Sequence, residues 1–313
     1  MANFVYEATP ALGGSVPSPA YTGTFIPEIW SGKIIEKFYD ATVLAAIANT
    51  DYEGEIKNYG ETVKIRQKPD VAITAYTPEV TLSVTRPSVA AVDLEINKGF
   101  YWNVALEDVM EVQSDINMLS MWADDASEQL KISVDTEVLD NINADIAAAN
   151  KGATAGAISG NIDLGATAAA ETVNKTNVLD YIIKMGQVLD EQNIPETGRW
   201  IVIPAWFASL IKQSDLKDAS LAGDNTSIMR NGRLGMIDRF TLYLSNHVKT
   251  VSDTGTKYHV YAGHSHGLTF ASQLTKVETL RAETTFATLM RGLQIFGYKV
   301  TDGTAVCELY CNP

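Results

Sequence analysis

The residues best suited to chemistry in this chain are His264 and His266, separated only by Ser265. On a strand that spacing puts both imidazoles on one face, and His259 or His247 would complete a metal-binding set. Gly263 and Gly267 flank the motif, however, and turn it into a loop with no third ligand identifiable. Gly232-Arg233-Leu234-Gly235 lacks the Lys-Ser/Thr of a phosphate loop, and the chain has no G-x-S-x-G elbow, HExxH or DxDxDG loop. Carboxylates are dense between Glu107 and Asp145, but a regular solvent face does not raise their pKa values as catalysis requires. The reading is a non-enzyme, with no catalytic residue, metal site or cofactor. Cys307 and Cys311 share a strand face too far apart to bridge, and read as free thiols.

With catalysis set aside, charge placement becomes the informative pattern. Glu107, Asp108, Glu111, Asp115, Asp124, Asp125, Glu128, Asp135, Glu137, Asp140 and Asp145 stand against Lys131 alone. Such a row repels itself unless cations lie beside it. Lys57, Lys64, Arg66, Lys68 and Arg86 make residues 51–100 the most basic part of the chain. A basic element, from this chain or a neighbour, is therefore expected to lie across the acidic row, with Lys57, Lys64, Arg66, Lys68 and Arg86 on one side and Asp124, Asp125 and Glu128 on the other. Exposed pairs of this kind contribute about 0–1 kcal/mol each, so their role is register more than strength.

The elements that must position these charges follow from periodicity. From Val104 to Ala149, apolar or small residues recur in steps of three or four, at Val109, Val112, Ile116, Leu119, Ala123, Ala126, Leu130, Val134, Val138, Ile142 and Ile146. No Pro or Gly interrupts them. The spacing predicts a continuous spine helix of about 45 residues, reaching about 65 Å. Between Asp51 and Phe100 the period is two, with Val63 and Ile65 against Thr62, Lys64 and Arg66, and Leu94 and Ile96 against Asp93 and Glu95. That is a long hairpin, its tip between Pro69 and Pro87 poor in large hydrophobes and so in need of a partner.

Residues 1–25 read as an extended arm, and Pro27 opens a helix with Ile29, Trp30, Ile34, Ile35, Phe38, Tyr39 and Leu44 on one face, up to about Ala48. After the spine, Lys151 to Thr172 reads as a flexible connection. Asn177 is placed to cap a helix whose Val178, Ile182, Met185 and Leu189 share a face. Trp200 to Ile203 is a buried strand, and Pro204 opens a short helix. The polar stretch Gln213 to Asn231 reads as an exposed loop. Strands follow near Phe240–Leu244 and Tyr258–Ala262, and the closing strands are 274–280, 290–296 and 306–310, with Gly292 and Gly297 marking bends or close backbone approach. The fold class is α+β.

At 313 residues and 46% hydrophobic content the chain can bury one large core or two modest ones. A formal net charge of -14 without a basic-aromatic stripe disfavours specific nucleic-acid binding. Neither a signal sequence nor a membrane-length apolar run is present, so a cytoplasm-like compartment without membrane contact is expected.

Arm, short helix, basic hairpin, acidic helix, α+β domain and returning strands, in that order, resemble the major capsid protein of tailed bacteriophages. Ile26-Pro27-Glu28-Ile29-Trp30, Asp51-Tyr52-Glu53-Gly54-Glu55-Ile56 and Gly60-Glu61-Thr62-Val63-Lys64-Ile65 are similar to that family's passage from N-arm into E-loop. Arg199-Trp200-Ile201-Val202-Ile203-Pro204 resembles its A-domain turn. Val277 to Arg281 and Arg291 to Val300 resemble its returning P-domain strands. The resemblance implies an N-arm and short helix over 1–50, an E-loop over 51–103, a P-domain spine helix and connection over 104–176, an A-domain over 177–273 and returning P-domain strands over 274–313.

It further implies self-assembly, through hexamers and pentamers, into an icosahedral shell enclosing a double-stranded DNA genome without sequence-specific binding, with Lys57, Lys64, Arg66, Lys68, Arg86, Asp124, Asp125 and Glu128 as contacts between subunits. The partners it implies are further copies of the chain and a portal, with a decoration protein as an optional addition. Only about 25 residues precede the first helix, which implies a separate scaffolding protein. No Asn lies between Arg281 and Ala305 to accept the isopeptide weld of some family members. The expected place is the virion capsid, with assembly in the host cytoplasm. The competing readings are an encapsulin-like nanocompartment shell, a metal-dependent enzyme built on His264 and His266, and an oligomeric α+β protein without a shell.

Overall fold

A computed structural model describes residues 39–40, 42–51, 62–67, 69, 71–76, 78, 84, 86–87, 91–113, 118–167, 169–214, 235–252 and 255–313. The arm, the predicted first helix as far as Phe38, Lys57, Lys68 and the loop 215–231 lie outside these residues. Tyr39, Asp40, Thr42 and Val43 are not helical, so of the helix expected to run to about Ala48 the described residues keep one turn, Leu44–Ile47. The described helices are α1 (Leu44–Ile47), α2 (Asp108–Gln113), α3 (Met118–Asn141), α4 (Val178–Glu191) and α5 (Ala205–Gln213). The described strands are β1 (Thr62–Arg66), β2 (Ala91–Glu95), β3 (Lys98–Glu107), β4 (Glu171–Thr172), β5 (Arg199–Ile203) and β6 (Met236–Ile237). They continue with β7 (Phe240–Leu244), β8 (Thr250–Ser252), β9 (Thr256–His264), β10 (Leu268–Arg281), β11 (Ala287–Val300) and β12 (Val306–Asn312).

The period-two segments pair as their alternation requires. β1 and β2 are antiparallel, with Val63 opposite Leu94 and Lys64 opposite Asp93. Ile65, Leu94 and Ile96 pack on Ala271, with Val63 and Ile295 beside them. The foot of the hairpin is therefore seated on the chain's own sheet, a support that periodicity alone did not reveal. That sheet has the order β10-β11-β3 and is antiparallel throughout. A Cβ on Gly297 would stand 2.2 Å from the Glu95 carbonyl oxygen, so only glycine lets the hairpin foot come this close.

The spine differs from its sequence reading at both ends. Residues 104–107 belong to β3, where Val104 faces Met290 and Leu106 faces Thr288 across the sheet. Val104 and Leu106 satisfy a period of two as well as of three or four, and the waiting edge of β11 decides the matter. Helix α3 stops at Asn141, and Ile142–Ala144 form a tighter 3-10 turn before Ile146. Asn141, Asn143 and Asp145 compete locally for backbone hydrogen bonds there; the Asn141 amide donates to the Glu137 carbonyl at 2.8 Å. Ile142 and Ile146 still reach the core without helical geometry.

A second sheet runs in the order β4-β12-β9-β5-β7-β6, with β8 beside β9. One face carries Ile201, Ile203, Val260, Leu309 and the thiols of Cys307 and Cys311 against α4 and α5. Burial pushes the Cys307 thiol up to about 12, so it behaves as a small core hydrophobe. The other face carries Trp200, Val202, Tyr261 and Val306 against Val134, Val138, Leu139 and Ile142 of the spine. The connection 151–172 is packed, contrary to its Gly/Ala-rich composition: Ala155, Ile162 and Leu164 are buried, and Glu191 accepts the Ile158 and Ser159 amides. Asn177 precedes α4 as expected, but its side chain accepts from the Asn174 amide and does not cap the helix.

Asp135 ties the spine to α1. Its buried Oδ1 accepts the backbone N–H groups of Leu44 at 2.8 Å and Val43 at 3.1 Å. Burial raises its carboxyl above the ordinary range, against the pull of those amides. Asp135→Ala is expected to cost about 1–3 kcal/mol by leaving two buried donors unpaired, whereas Asp135→Asn keeps an acceptor and removes a buried charge. Because the folded-state pKa is raised, this group favours folding at low pH, and the benefit is lost as pH rises through that value. Thermal scans across pH should show any advantage of Asp135→Asn over wild type shrinking as pH falls.

Candidate assembly surface

Three regions keep large apolar side chains in solvent. The first lies at the far tip of the β10–β11 hairpin. The backbone N–H of Asp108, at the start of α2, donates to the Phe286 carbonyl at 3.1 Å, and Arg281 pairs with Asp108. These contacts fix α2 beside the tip, where Phe286 is 84% and Val112 85% exposed, with Val109 and Met110 also in solvent. The sequence pattern placed Val109 and Val112 on one apolar face of the spine helix. No residue of α2 is buried, and its apolar side chains face solvent.

The second cluster is on the basic hairpin. Beyond β1 and β2, Val71, Ile73, Tyr76 and Val84 are exposed, and Ile73 is 95% so. The third is the outward face of the three-stranded sheet, where Tyr101, Leu293 and Lys276 form one row across the strands and Asn103, Arg291 and Glu278 the next. Tyr101 is 80% exposed. Lys276 and Arg291 hold the Glu278 carboxyl below the usual range, the latter through a 2.8 Å ion pair. Gly292 leaves room for the Trp102 indole, which a Cβ would meet at 2.3 Å.

The structure does not bring the predicted charge partners together within one chain. Lys64, Arg66 and Arg86 are exposed, and among the described residues no ion pair joins them to Asp124, Asp125 or Glu128. Glu128 pairs with Lys131 at 2.6 Å, and Asp125 accepts from the Tyr39 hydroxyl at 2.9 Å. Three other carboxylates of the spine region find cations distant in sequence: Glu137 pairs with Lys98, Asp145 with Lys299 and Asp108 with Arg281. Those partners are invisible to local pattern because they come from β3, β10 and β11. Phe286 and Tyr101 were also missed, since nothing in their neighbourhood separates an exposed aromatic from a core one.

His264 and His266 close the turn between β9 and β10, where the His266 amide donates to His264 Nδ1 at 3.1 Å. Among the described residues no three His, Cys, Asp or Glu side chains are grouped to hold a metal ion. No described helix is long and apolar enough to cross a membrane.

Comparison with known proteins matches residues 89–309 to the family model described as phage capsid protein. Among solved structures, a chain of Mycobacterium phage Che8 is 25% identical, with a TM-score of 0.75 over 92% of this chain and 98% of that one. A chain from the capsid structure of the cyanophage P-SCSP1u is 15% identical, with a TM-score of 0.72 over 92% and 93%. A chain from the capsid of a native GTA particle is 15% identical, with a TM-score of 0.65 over 97% and 100%. No curated protein matches the sequence.

Proposed function

This chain belongs to the phage capsid protein family, and from that premise we propose that its copies close, through hexamers and pentamers, into the icosahedral head of a tailed bacteriophage around double-stranded DNA. It is a structural capsid shell protein of a phage, and its place is the virion capsid. The observation that carries the closed-shell reading is the set of large apolar side chains left in water at the tip, the hairpin and the outer sheet face. A chain with two well-filled cores does not leave Phe286, Ile73 and Tyr101 exposed in separate patches without use for them.

Each patch contacts a different neighbour in this reading, and heterologous contacts of that kind close into rings. Many modest contacts then add through multivalency. Lys64 and Arg66 of the hairpin face acidic groups of an adjacent subunit, with Asp124 and Glu128 the candidates. The arm, E-loop, P-domain and A-domain divisions remain those assigned from sequence, with β3 moved from E-loop and spine into the P-domain sheet. A net charge of -14 makes the wall repulsive to the DNA it encloses. A separate scaffolding protein, a portal, a possible decoration protein and assembly in the host cytoplasm complete the proposal. The chain has no enzymatic role in it.

Expression of the full chain, alone and with a candidate scaffolding protein, followed by sedimentation and electron microscopy, tests the proposal. Closed shells built of five- and six-membered rings are expected. A monomer that persists at high concentration under both conditions would overturn it.

A further inference from the structure

β10 is an edge strand of the three-stranded sheet and runs for 14 residues. Near its start the edge is occupied: the Asn49 amide donates to the Leu268 carbonyl at 2.8 Å, and the Phe270 amide to the Asn49 carbonyl at 2.9 Å. From Thr275 to Arg281 no described backbone outside β11 pairs with it. An edge of this length is a template for another strand.

The direction of its backbone groups follows from the tip of the ribbon. The Ala282 amide donates to the Ala287 carbonyl directly opposite at 3.0 Å, so Leu280, Glu278 and Lys276, at alternate positions before it, also turn their N–H and C=O groups to β11. Thr275, Val277 and Thr279 turn theirs to the open side. The carbonyl of Phe286, one residue before Ala287, accepts from Asp108 on the opposite side of β11, as the same alternation requires. Along this open stretch the sequence Leu274-Thr275-Lys276-Val277-Glu278-Thr279-Leu280 reads alike from either end, except that Lys276 and Glu278 exchange. Val277, at its centre, is 55% exposed.

We propose that β10 pairs antiparallel with β10 of a second copy about a two-fold axis through Val277, joining two three-stranded sheets into one of six strands. The proposal rests on the reading that copies of this chain associate, and adds where two of them meet. In this register Val277 meets its own counterpart, Thr275 meets Thr279, and the outward N–H and C=O groups of all three find acceptors and donors. Lys276 meets Glu278 on both sides of the axis, at the positions where side chains of an antiparallel pair stand closest. Within one chain Glu278 already holds Lys276 and Arg291, so the pairing links these ions into one network of alternating sign. The neighbouring registers that keep the same groups outward centre on Lys276 or on Glu278. Each sets like charges opposite one another, which selects the register centred on Val277. Such a contact is self-complementary, as a two-fold interface must be.

Cysteine cross-linking of the full chain tests the register. Cys307 and Cys311 are buried and stay out of the reaction. In Val277→Cys the introduced thiols stand on directly opposed residues with Cα atoms about 5.5 Å apart, within disulfide reach. In Thr279→Cys they lie four positions apart along the strands, about 13 Å, and cannot bridge. Mild oxidation of concentrated protein, particles and soluble fraction together, should give roughly tenfold more linked dimer from Val277→Cys than from Thr279→Cys. Adding Lys276→Glu or Glu278→Lys to Val277→Cys should each lower that yield roughly fivefold, because like charges then face each other. An equimolar mixture of these two double variants should restore it, since each copy then carries the charges the other lacks. A contact within one chain cannot be restored by mixing. Equal linking by the two single cysteine variants, no linking by Val277→Cys, or a mixture that stays as low as its components would each overturn the proposal. Electron microscopy of the same samples separates the two readings: closed shells without the Val277→Cys link overturn the edge pairing alone, and linked dimers that never form shells support the pairing and overturn the shell.

Discussion

Phe286→Asp combined with Val112→Asp is expected to abolish closed shells while leaving the subunit folded. Both side chains are more than four-fifths exposed, so removing them costs the isolated chain no buried area. Exposed substitutions of this kind change stability by about 0.5 kcal/mol or less. In the proposed shell the same residues would be covered, at about 1.5–3 kcal/mol for each apolar side chain fully removed from water. Losing both weakens the contact by about 10²–10⁴-fold, at about 1.4 kcal/mol per factor of ten. The new carboxylates also stand beside Asp108 and Glu111 of α2, so the contact becomes repulsive as well as less apolar. Sedimentation should show slow-moving subunits with a wild-type circular dichroism spectrum and melting temperature. Phe286→Leu, which keeps most of the area, should restore shells. Wild-type shell yield from the double variant would mean that the tip is not an assembly contact.

The second large effect concerns the subunit itself. Arg199 begins β5 with its side chain fully buried, donating to the carbonyls of Ile194 at 2.6 Å and Pro195 at 2.9 Å and to Asp190 at 2.7 Å. One guanidinium thus joins the end of α4, the turn after it and the first residue of the sheet. Asp190 is shared with Arg239 at 2.8 Å, and although partial burial pushes its carboxyl up, the two arginines hold it below the usual range. Arg199→Leu strands two carbonyls and half of a carboxylate's partners. A fully buried broken pair costs about 3–5 kcal/mol. Because Asp190 is partly exposed and keeps Arg239, about 3 kcal/mol is expected here, which lowers the melting temperature by roughly 5–10 °C. Arg199→Lys should recover little, since a single ammonium cannot span the three acceptors. A drop of less than 2 °C would show that the turn and helix hold without this residue.

The sequence revealed the parts of this fold that rest on local pattern. The two strands of the hairpin followed from Val63 and Ile65 alternating with polar and charged neighbours, β5 from an unbroken apolar run, and α5 from Pro204. Gly292 and Gly297 were legible as close approaches because a strand interior otherwise excludes glycine. The ends of the spine were not legible, because Val104 and Leu106 fit two periods at once and only β11 selects between them. Its acidity misled in a second way. Glu137, Asp145 and Asp108 are neutralised by Lys98, Lys299 and Arg281, none of them a neighbour in the chain. For the assembly surface the limit is sharper: Val112 and Val138 have the same side chain and both sat on the predicted stripe, yet one meets water and the other the core.

The short turn at Ser265–Gly267 makes β9 of one sheet run almost directly into β10 of the other. Traction on the tip of the long ribbon therefore passes into the larger half through main-chain covalent bonds, with no slack tether between. Along the strand axis it loads the rungs of the β11–β3 ladder side by side, in shear, so that sliding the ribbon past β3 must rupture many together. Force applied across the strands would peel them singly. A wall made of such units would be stiff against inflation from within and comparatively weak to prying at its seams.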